Sequence, residues 1–410
     1  MPWKAIHVDE QRMQFVIRAS SGTERLSALC REFGISRPTG YLWRRRYQSA
    51  RSLTELVEHS RRPKSSPSRT AAWKERRVTA LRRQTGWGAK KLHVLLGEEQ
   101  ITVPVRTIHR ILERHELVND SAPGLAPGRF ERSEPNELWQ MDSKGKYRTE
   151  EGECHPLSIL DDHSRYALGL YPLRELEGKQ AHPCLVQTFR RYGVPEAMLM
   201  DRGAMWWTAF NGWGLTQLSV QLIEQGIHLL YGRVCHPQTQ GKVERFHRTL
   251  DVELRHHGVP RRFAEWPAVL DQVRFIYNEQ RPHEALAMQR PAQRYRPSLR
   301  SYAEQVKEWE YPTGSDVRRL NSQGMLTDQG RRWFVCGALA NCRVRVEVFD
   351  GKLLVSYRHM YLREVDVERE CSRPLVVARQ GRAENAPVAL RAPYASSAQP
   401  NNNSSSNPGV

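Results

Sequence analysis

Between Leu138 and Tyr295 the chain alternates strand-length apolar runs with helical stripes, and this pattern leaves little besides a mixed α/β sheet. Leu138 to Met141 alternates apolar and polar residues and leads into Asp142. HPLSILDDHSRYALGLYPL reads as two strands joined at the polar turn DDHSR, and Gly178 to Tyr192 as a helix. Ala197 to Met200 is a buried-type strand that ends on Asp201. A carboxylate there faces a cleft or costs stability. CHPQTQGKVERFHRTLDVEL reads as a helix from Gln238, because Val243, Phe246, Leu250 and Leu254 step by 3, 4 and 4 residues. Glu244 lies beside that stripe, so it can face the sheet and still reach the rim of a cleft.

Asp142, Asp201 and Glu244 form the candidate catalytic and metal-binding set. Three carboxylates brought together without cations repel, and one is driven to hold a proton. With two divalent ions they become hard oxygen ligands of the kind magnesium prefers. Such a pair of ions clamps the attacking and leaving oxygens of an in-line phosphoryl transfer. Water as the first nucleophile gives strand cleavage, and a DNA 3′-hydroxyl as the second gives strand joining. Asp161 and Asp162 read as turn residues, with Ser164 and Arg165 ordering the same hairpin. Arg281 and His283 read as structural, and Trp206, Trp207 and Trp213 as core packing.

The flanks point to a polyanion. Lys and Arg number 63 against 45 Asp and Glu, a net charge of +18. Residues 1–120 alone hold 24 basic and 12 acidic residues. A concentrated basic segment is the electrostatic footprint of nucleic acid, and its binding weakens as salt rises. Residues 1–60 read as a helix-turn-helix domain. Glu24 to Phe33 forms one helix, Gly34 turns the chain, and Ser36 caps a second helix through Tyr47. The second helix carries Arg37, Tyr41, Arg44, Arg45 and Arg46, side chains suited to bases and phosphates. Residues 69–118 read as a second such domain. Its last helix turns Ile108, Ile111 and Leu112 inward and Arg106 and Arg110 outward.

The stretches RRPKSSPSR and 119–137 read as linkers, the latter rich in Pro and Gly. Residues 316–368, with short alternating runs and a hairpin signal at Asp350-Gly351, read as a small β-barrel. The tail, 378–410, reads as disordered. Seven cysteines without a Cys-x-x-Cys pair argue against a disulfide framework and a structural zinc site. No apolar run reaches the length of a membrane span or signal peptide. The expectation is therefore a cytoplasmic protein with no membrane partner.

These motifs resemble bacterial insertion-sequence transposases with a retroviral-integrase-type catalytic core. The resemblance rests on WQMD at Asp142, LDDHSR at Asp161 to Arg165, MDRG at Asp201, HPQTQGKVERFHRTL at Glu244 and YNEQRPHEAL after it. It implies a ribonuclease H-like core from 138 to 295, with Asp142, Asp201 and Glu244 as an acidic triad for two Mg2+ or Mn2+ ions. It also implies a bacterial protein associated with the nucleoid when on DNA, acting on transposon ends and target DNA as a homo-oligomer. Lys242 and Arg248, flanking the glutamate, are candidate DNA contacts. The chain departs from the pattern in three places. Arg202-Gly203 follows the second aspartate, 42 residues separate it from Glu244, and Asp251 stands where a basic residue is usual. Two other readings stay open: a captured transposase that regulates by binding DNA, and a nuclease that cuts without joining.

Overall fold

The computed structural model describes residues 8–56, 70–118, 131–201, 203–208, 214–232 and 241–375. The linker RRPKSSPSR up to Arg69, most of the 119–137 linker, Trp213 and the 378–410 tail lie outside the described residues. The chain divides into two compact units, Met1–Ala71 and Ala72–Val410.

The first unit is a three-helix bundle. It consists of α1 (Val8–Ser21), α2 (Leu26–Glu32) and α3 (Arg37–Ala50). The turn and second helix match the sequence expectation: Gly34 takes φ +65°, and Ser36 Oγ accepts from Thr39 N. The expectation lacked α1. Phe15, Val16 and Ala19 put a narrow apolar strip on that helix, and they bury against Leu29, Cys30 and Trp43. Asp9 and Glu10 in the first turn and Arg18 in the last complement the helix dipole.

The second unit begins with another helical trio, α4 (Ala72–Thr85), α5 (Ala89–Glu98) and α6 (Val105–Arg114). Val78, Leu81, Trp87, Leu92, Leu96, Ile108 and Ile111 form its core, and Ile276 from much later in the chain completes it. This trio is docked on the rest of the unit. Trp87 Nε1 donates to the buried carboxylate of Glu253 at 3.1 Å, which Arg281 Nε also reaches at 3.2 Å. Lys90 pairs with Glu284, and Arg290 with Glu98.

The central sheet follows, with β1 (Leu138–Ser143), β2 (Tyr147–Thr149), β3 (Gly152–Asp161) and β4 (Ala167–Leu173). After α7 (Gly178–Tyr192) come β5 (Ala197–Met200), the short pair β6 (Trp207–Thr208) and β7 (Gly214–Leu215), α8 (Gln217–Glu224) and β8 (His228–Tyr231). Two helices close the α/β part, α9 (Gly241–His257) and α10 (Trp266–Phe275). Across the sheet the strands run β4, β3, β1, β5, β8, with β2 also paired to β3. β3 is antiparallel to β1 and β4, whereas β1, β5 and β8 are parallel. An antiparallel trio continued by two parallel strands is the ribonuclease H-like arrangement that the resemblance implies.

Alternation along the strands sorts side chains between two cores. Trp139, Met141, Met198 and Met200 face α7 and α8. On the other side Leu160, Ala167 and Leu170 pack against Phe246, Leu250 and Leu254 of α9 and Leu270 of α10. By the same alternation Gln140 and Asp142 lie on the α9 side of β1. In the YNEQRPH stretch Asn278 brackets the start of β4 through the Ala167 N–H and C=O, at 2.8 and 3.0 Å, and His283 is half-buried.

The carboxy-terminal strands depart from the expected barrel. β9 (Asp316–Arg319), β12 (Arg343–Phe349), β13 (Lys352–Tyr357), β14 (Met360–Asp366) and β15 (Cys371–Pro374) form one antiparallel sheet, and β10 (Met325–Asp328) pairs with β11 (Arg331–Phe334) beside it. Among the described residues β9 and β15 are edges, so the ladder is open. The physical reason lies in what covers its apolar face. Val344, Val355, Tyr357 and Met360 share one continuous core with Leu222, Ile227 and Leu229. His359 Nε2 lies 3.1 Å from Ile227 O, and Tyr357 Oη donates to Glu224 at 2.9 Å. A sheet whose inner face is filled by the α/β core has no need to curl on itself. The described cysteines, Cys30, Cys154, Cys184, Cys336, Cys342 and Cys371, are all free. Among the described residues no helix is long and apolar enough to cross a membrane.

Candidate active site

Strand register brings the two aspartates together. β1 and β5 pair in parallel as Leu138↔Ala197, Trp139↔Met198 and Gln140↔Leu199. The pairing ends at Gln140↔Leu199, and Asp142 and Asp201 follow beyond it, near enough for the charge of Asp201 to act on Asp142. Both are half-buried and on the α9 side of the sheet. α9 packs across β1 and β3 and carries Glu244, also half-buried, in its first turn.

Electrostatics tie Asp142 to the other two acids. The Asp142 carboxyl is pushed up to about 7, first by burial, then by the neighbouring charge of Asp201, and further by that of Glu244. The Ser143 N–H, at 2.8 Å, and the Lys144 ammonium oppose the rise. Among the described residues no three His, Cys, Asp or Glu side chains close into a metal-binding group. Asp201 is held by its own loop. Its Oδ1 accepts from Gly203 N at 2.9 Å and Trp206 Nε1 at 2.8 Å. A Cβ on Gly203 would lie 2.9 Å from that oxygen, so the MDRG glycine leaves room for the carboxylate. By type the three carboxylates are the hard oxygen donors that divalent ions prefer, and burial, then the neighbouring acids, raise Asp142.

The raised Asp142 carboxyl has a measurable consequence. If a divalent ion is held by the Asp142 carboxylate, its binding below about pH 7 displaces a proton. Mn2+ affinity measured by titration calorimetry is expected to fall towards about tenfold per pH unit below 7 and to level off above it. The sign for folding is opposite. The unfolded Asp142 ionises near 3.8 and the folded one near 7, so this group lowers the stability of metal-free protein as pH rises between those values. An affinity that stays flat from pH 5.5 to 8.5 would contradict the assignment.

Comparison with known proteins falls on the same segment. The family described as Integrase core domain matches residues 132–237, and a second family of that description matches 225–291. The family described as Helix-turn-helix domain matches residues 11–64.

The two integrase core matches together cover residues 132–291.

Among curated proteins, one relative is the "Insertion element IS407 uncharacterized 31.7 kDa protein" of Burkholderia multivorans. It is 23% identical over 215 residues, which are 50% of this chain and 74% of that protein. Another is the Gag-Pol polyprotein of koala retrovirus, 25% identical over 239 residues. These cover 54% of this chain and only 14% of the polyprotein's length. Among solved structures is the HTLV-2 integrase catalytic core domain in complex with magnesium. It is 14% identical, with a TM-score of 0.31, and covers 40% of this chain and 97% of that one.

Around the three candidate acids lie polar residues of which the sequence pattern marks only Asp251. His247 Nδ1 is 3.8 Å from Asp142 Oδ2, and its Nε2 is 3.0 Å from Ser158 Oγ. Burial holds this imidazole neutral, at about 4. Asp251, the departure from the family pattern, accepts from Tyr147 Oη at 2.5 Å and pairs with Lys144 at 2.9 Å. Lys144 comes from just beyond β1, so the cation near the acids arrives from a strand end and the anion from the helix. Positions 244, 247 and 251 are spaced by 3 and 4 residues, and one face of α9 carries all three. That spacing was the available signal.

The predicted DNA contacts divide by exposure. Arg37, Tyr41 and Arg45 are exposed on α3, and Arg44 is half-buried. The Arg46 guanidinium stacks 4.7 Å above the Trp43 ring of its own helix. Arg106 and Arg110 are exposed on α6, and Arg248 on α9. Lys242 is engaged inside the fold: its Nζ lies 2.5 Å from Asp162 Oδ1. Asp161 accepts from Asn136 N, Ser164 N and Ser164 Oγ and serves the turn. Trp206 and Trp207 are buried.

Proposed function

We propose that this chain is a DNA transposase that binds the terminal inverted repeats of an insertion sequence and catalyses their cleavage and strand transfer. The observation that supports the reading is the parallel β1–β5 pairing, beyond which Asp142 and Asp201 follow, with α9, the helix that carries Glu244, packed across β1. The integrase core match and the likeness to an insertion-element protein support it.

In this reading Asp142, Asp201 and Glu244 hold two Mg2+ or Mn2+ ions. When bound, the ions supply positive charge to the attacking and leaving oxygens of the phosphodiester. The chain's own residues do the rest. Trp206 and Gly203 hold the Asp201 carboxylate at the end of its strand. Neutral His247, fixed by Ser158, shields Asp142 on its α9 side without competing for its charge. Arg37, Tyr41, Arg44 and Arg45 on α3 read the element's ends, and Arg106, Arg110 and Arg248 take backbone phosphates. Two ends must be joined, so the working form is a homo-oligomer on DNA.

The test is a strand-joining assay with Mg2+ on the DNA that flanks the gene, where the reading expects matched inverted repeats. Joined product is expected. Cutting without joining would instead identify a nuclease. End-selective binding without either reaction would identify a DNA-binding regulator.

A further inference from the structure

The turn after β3 contains a carboxylate more deeply placed than a turn needs. Asp162 is fully buried. Its Oδ1 accepts from Gln140 Nε2 at 2.8 Å and from Lys242 Nζ at 2.5 Å, and its Oδ2 accepts from Arg132 N at 2.8 Å. Its backbone adds two further ties. The N–H donates to Leu138 O at 2.9 Å, and the C=O accepts from Lys242 Nζ at 3.2 Å. One residue thus binds β1 at two points and the first turn of α9 at two more. Gln140 lies two residues before Asp142 on the same face of β1. Lys242 lies two residues before Glu244.

Apolar packing of Val243, Phe246 and Leu250 holds α9 against the sheet, but that force is non-directional and tolerates sliding. Charge-assisted hydrogen bonds have a fixed length and direction and set register. Lys242 is also out of place by helix electrostatics, since a cation in the first turn opposes the dipole. A buried carboxylate at that helix end reverses the sign: it favours the helix and the lysine together.

We propose that Asp162, through Gln140 and Lys242, is a positioning residue that sets Glu244 of α9 against Asp142 of β1 and so fixes the separation of the metal ligands. The inference rests on the reading of Asp142, Asp201 and Glu244 as ligands. Groups that orient ligands in this way change metal affinity by about tenfold to a hundredfold when lost.

The test uses the full chain without DNA and Mn2+ as the probe, with free ion followed by electron paramagnetic resonance. The double variant Asp162→Asn/Lys242→Met cuts the link without leaving a charge buried alone. It is expected to bind Mn2+ about tenfold or more weakly, with wild-type binding of repeat DNA in the absence of metal. Lys242→Arg, which keeps a charged donor, is expected to retain Mn2+ affinity. A folded double variant with wild-type Mn2+ affinity overturns the proposal. If the double variant does not fold, Lys242→Gln against Lys242→Arg decides: weaker binding by the glutamine variant supports it, and equal binding overturns it. Asp142→Asn runs alongside. If that variant also binds Mn2+ normally, the metal-site reading itself fails; if it alone loses affinity, only the positioning role does.

Discussion

Asp142→Asn is expected to abolish cleavage and joining while leaving the binding of repeat DNA unchanged. A loss on the order of a thousandfold corresponds to about 4 kcal/mol of transition-state stabilisation, within what bound divalent ions supply. The substitution is nearly isosteric, and an asparagine Oδ1 can still accept from the Ser143 N–H that now holds the carboxylate. What it removes is the anionic ligand on the α9 face of β1. It also relieves a cost. Asp142 is pushed up to about 7 by burial and by two neighbouring acids, so at pH 8 the metal-free wild type carries an ionised group its surroundings oppose. The variant should therefore melt no lower than wild type at pH 8 in chelator, although it is inactive. The check is paired: a melting curve, and a strand-joining time course on flanking repeats. Joining at the wild-type rate would remove Asp142 from the mechanism.

Deleting the helical amino-terminal region is expected to have two outcomes, depending on where the cut falls. Removal of residues 1–71 takes away a unit that closes its own core around Phe15, Leu29 and Trp43. The remainder should keep its melting temperature and lose the preference for repeat ends by about a hundredfold or more, the low side of the usual gap between specific and non-specific DNA binding. Removal of residues 1–118 cuts into the second unit. It strips Trp87 from the buried Glu253 and uncovers Ile276. Ile276, uncovered at about 1.5–3 kcal/mol, and a buried carboxylate left with fewer donors, at about 1–3 kcal/mol, should lower the melting temperature by roughly 5 °C or more. Calorimetry of the two truncations beside a gel-shift competition with unrelated DNA separates them. A 72–410 protein that still selects its ends would refute the assignment of recognition to α3.

The parts of the fold that sequence made legible are those where a single period runs unbroken. β5, α7 and the apolar stripe of α9 are of this kind, and the bounds expected for Ala197–Met200 and Gly178–Tyr192 match the structure. α1 and α4 escaped because their buried residues are few among many charges, and their stripes are completed by other helices. β8 is four residues long, His228–Tyr231, with only Leu229 and Tyr231 fully buried, so its alternation is too brief to stand out. The sequence marks the three acids as candidates by their places at two strand ends and on one helix. Their neighbourhood was hidden, because Lys144, His247 and Asp251 pair only after β1 and α9 meet. Lys242 reads outward on a helical wheel and is claimed by Asp162, a residue 80 positions earlier that looks like an ordinary turn aspartate. The open carboxy-terminal sheet was misread as a barrel for a related reason: alternation tells which face is apolar, not what will cover it.

The shared core between that last sheet and the α/β region bears on how the molecule is made. Translation delivers Leu222, Ile227 and Leu229 more than a hundred residues before Val344, Val355 and Met360 arrive to cover them. At ribosomal speeds of about 5–20 residues per second, those side chains stay uncovered for several seconds. The nascent chain therefore completes this shared interior only once residues 344–360 emerge and cover it.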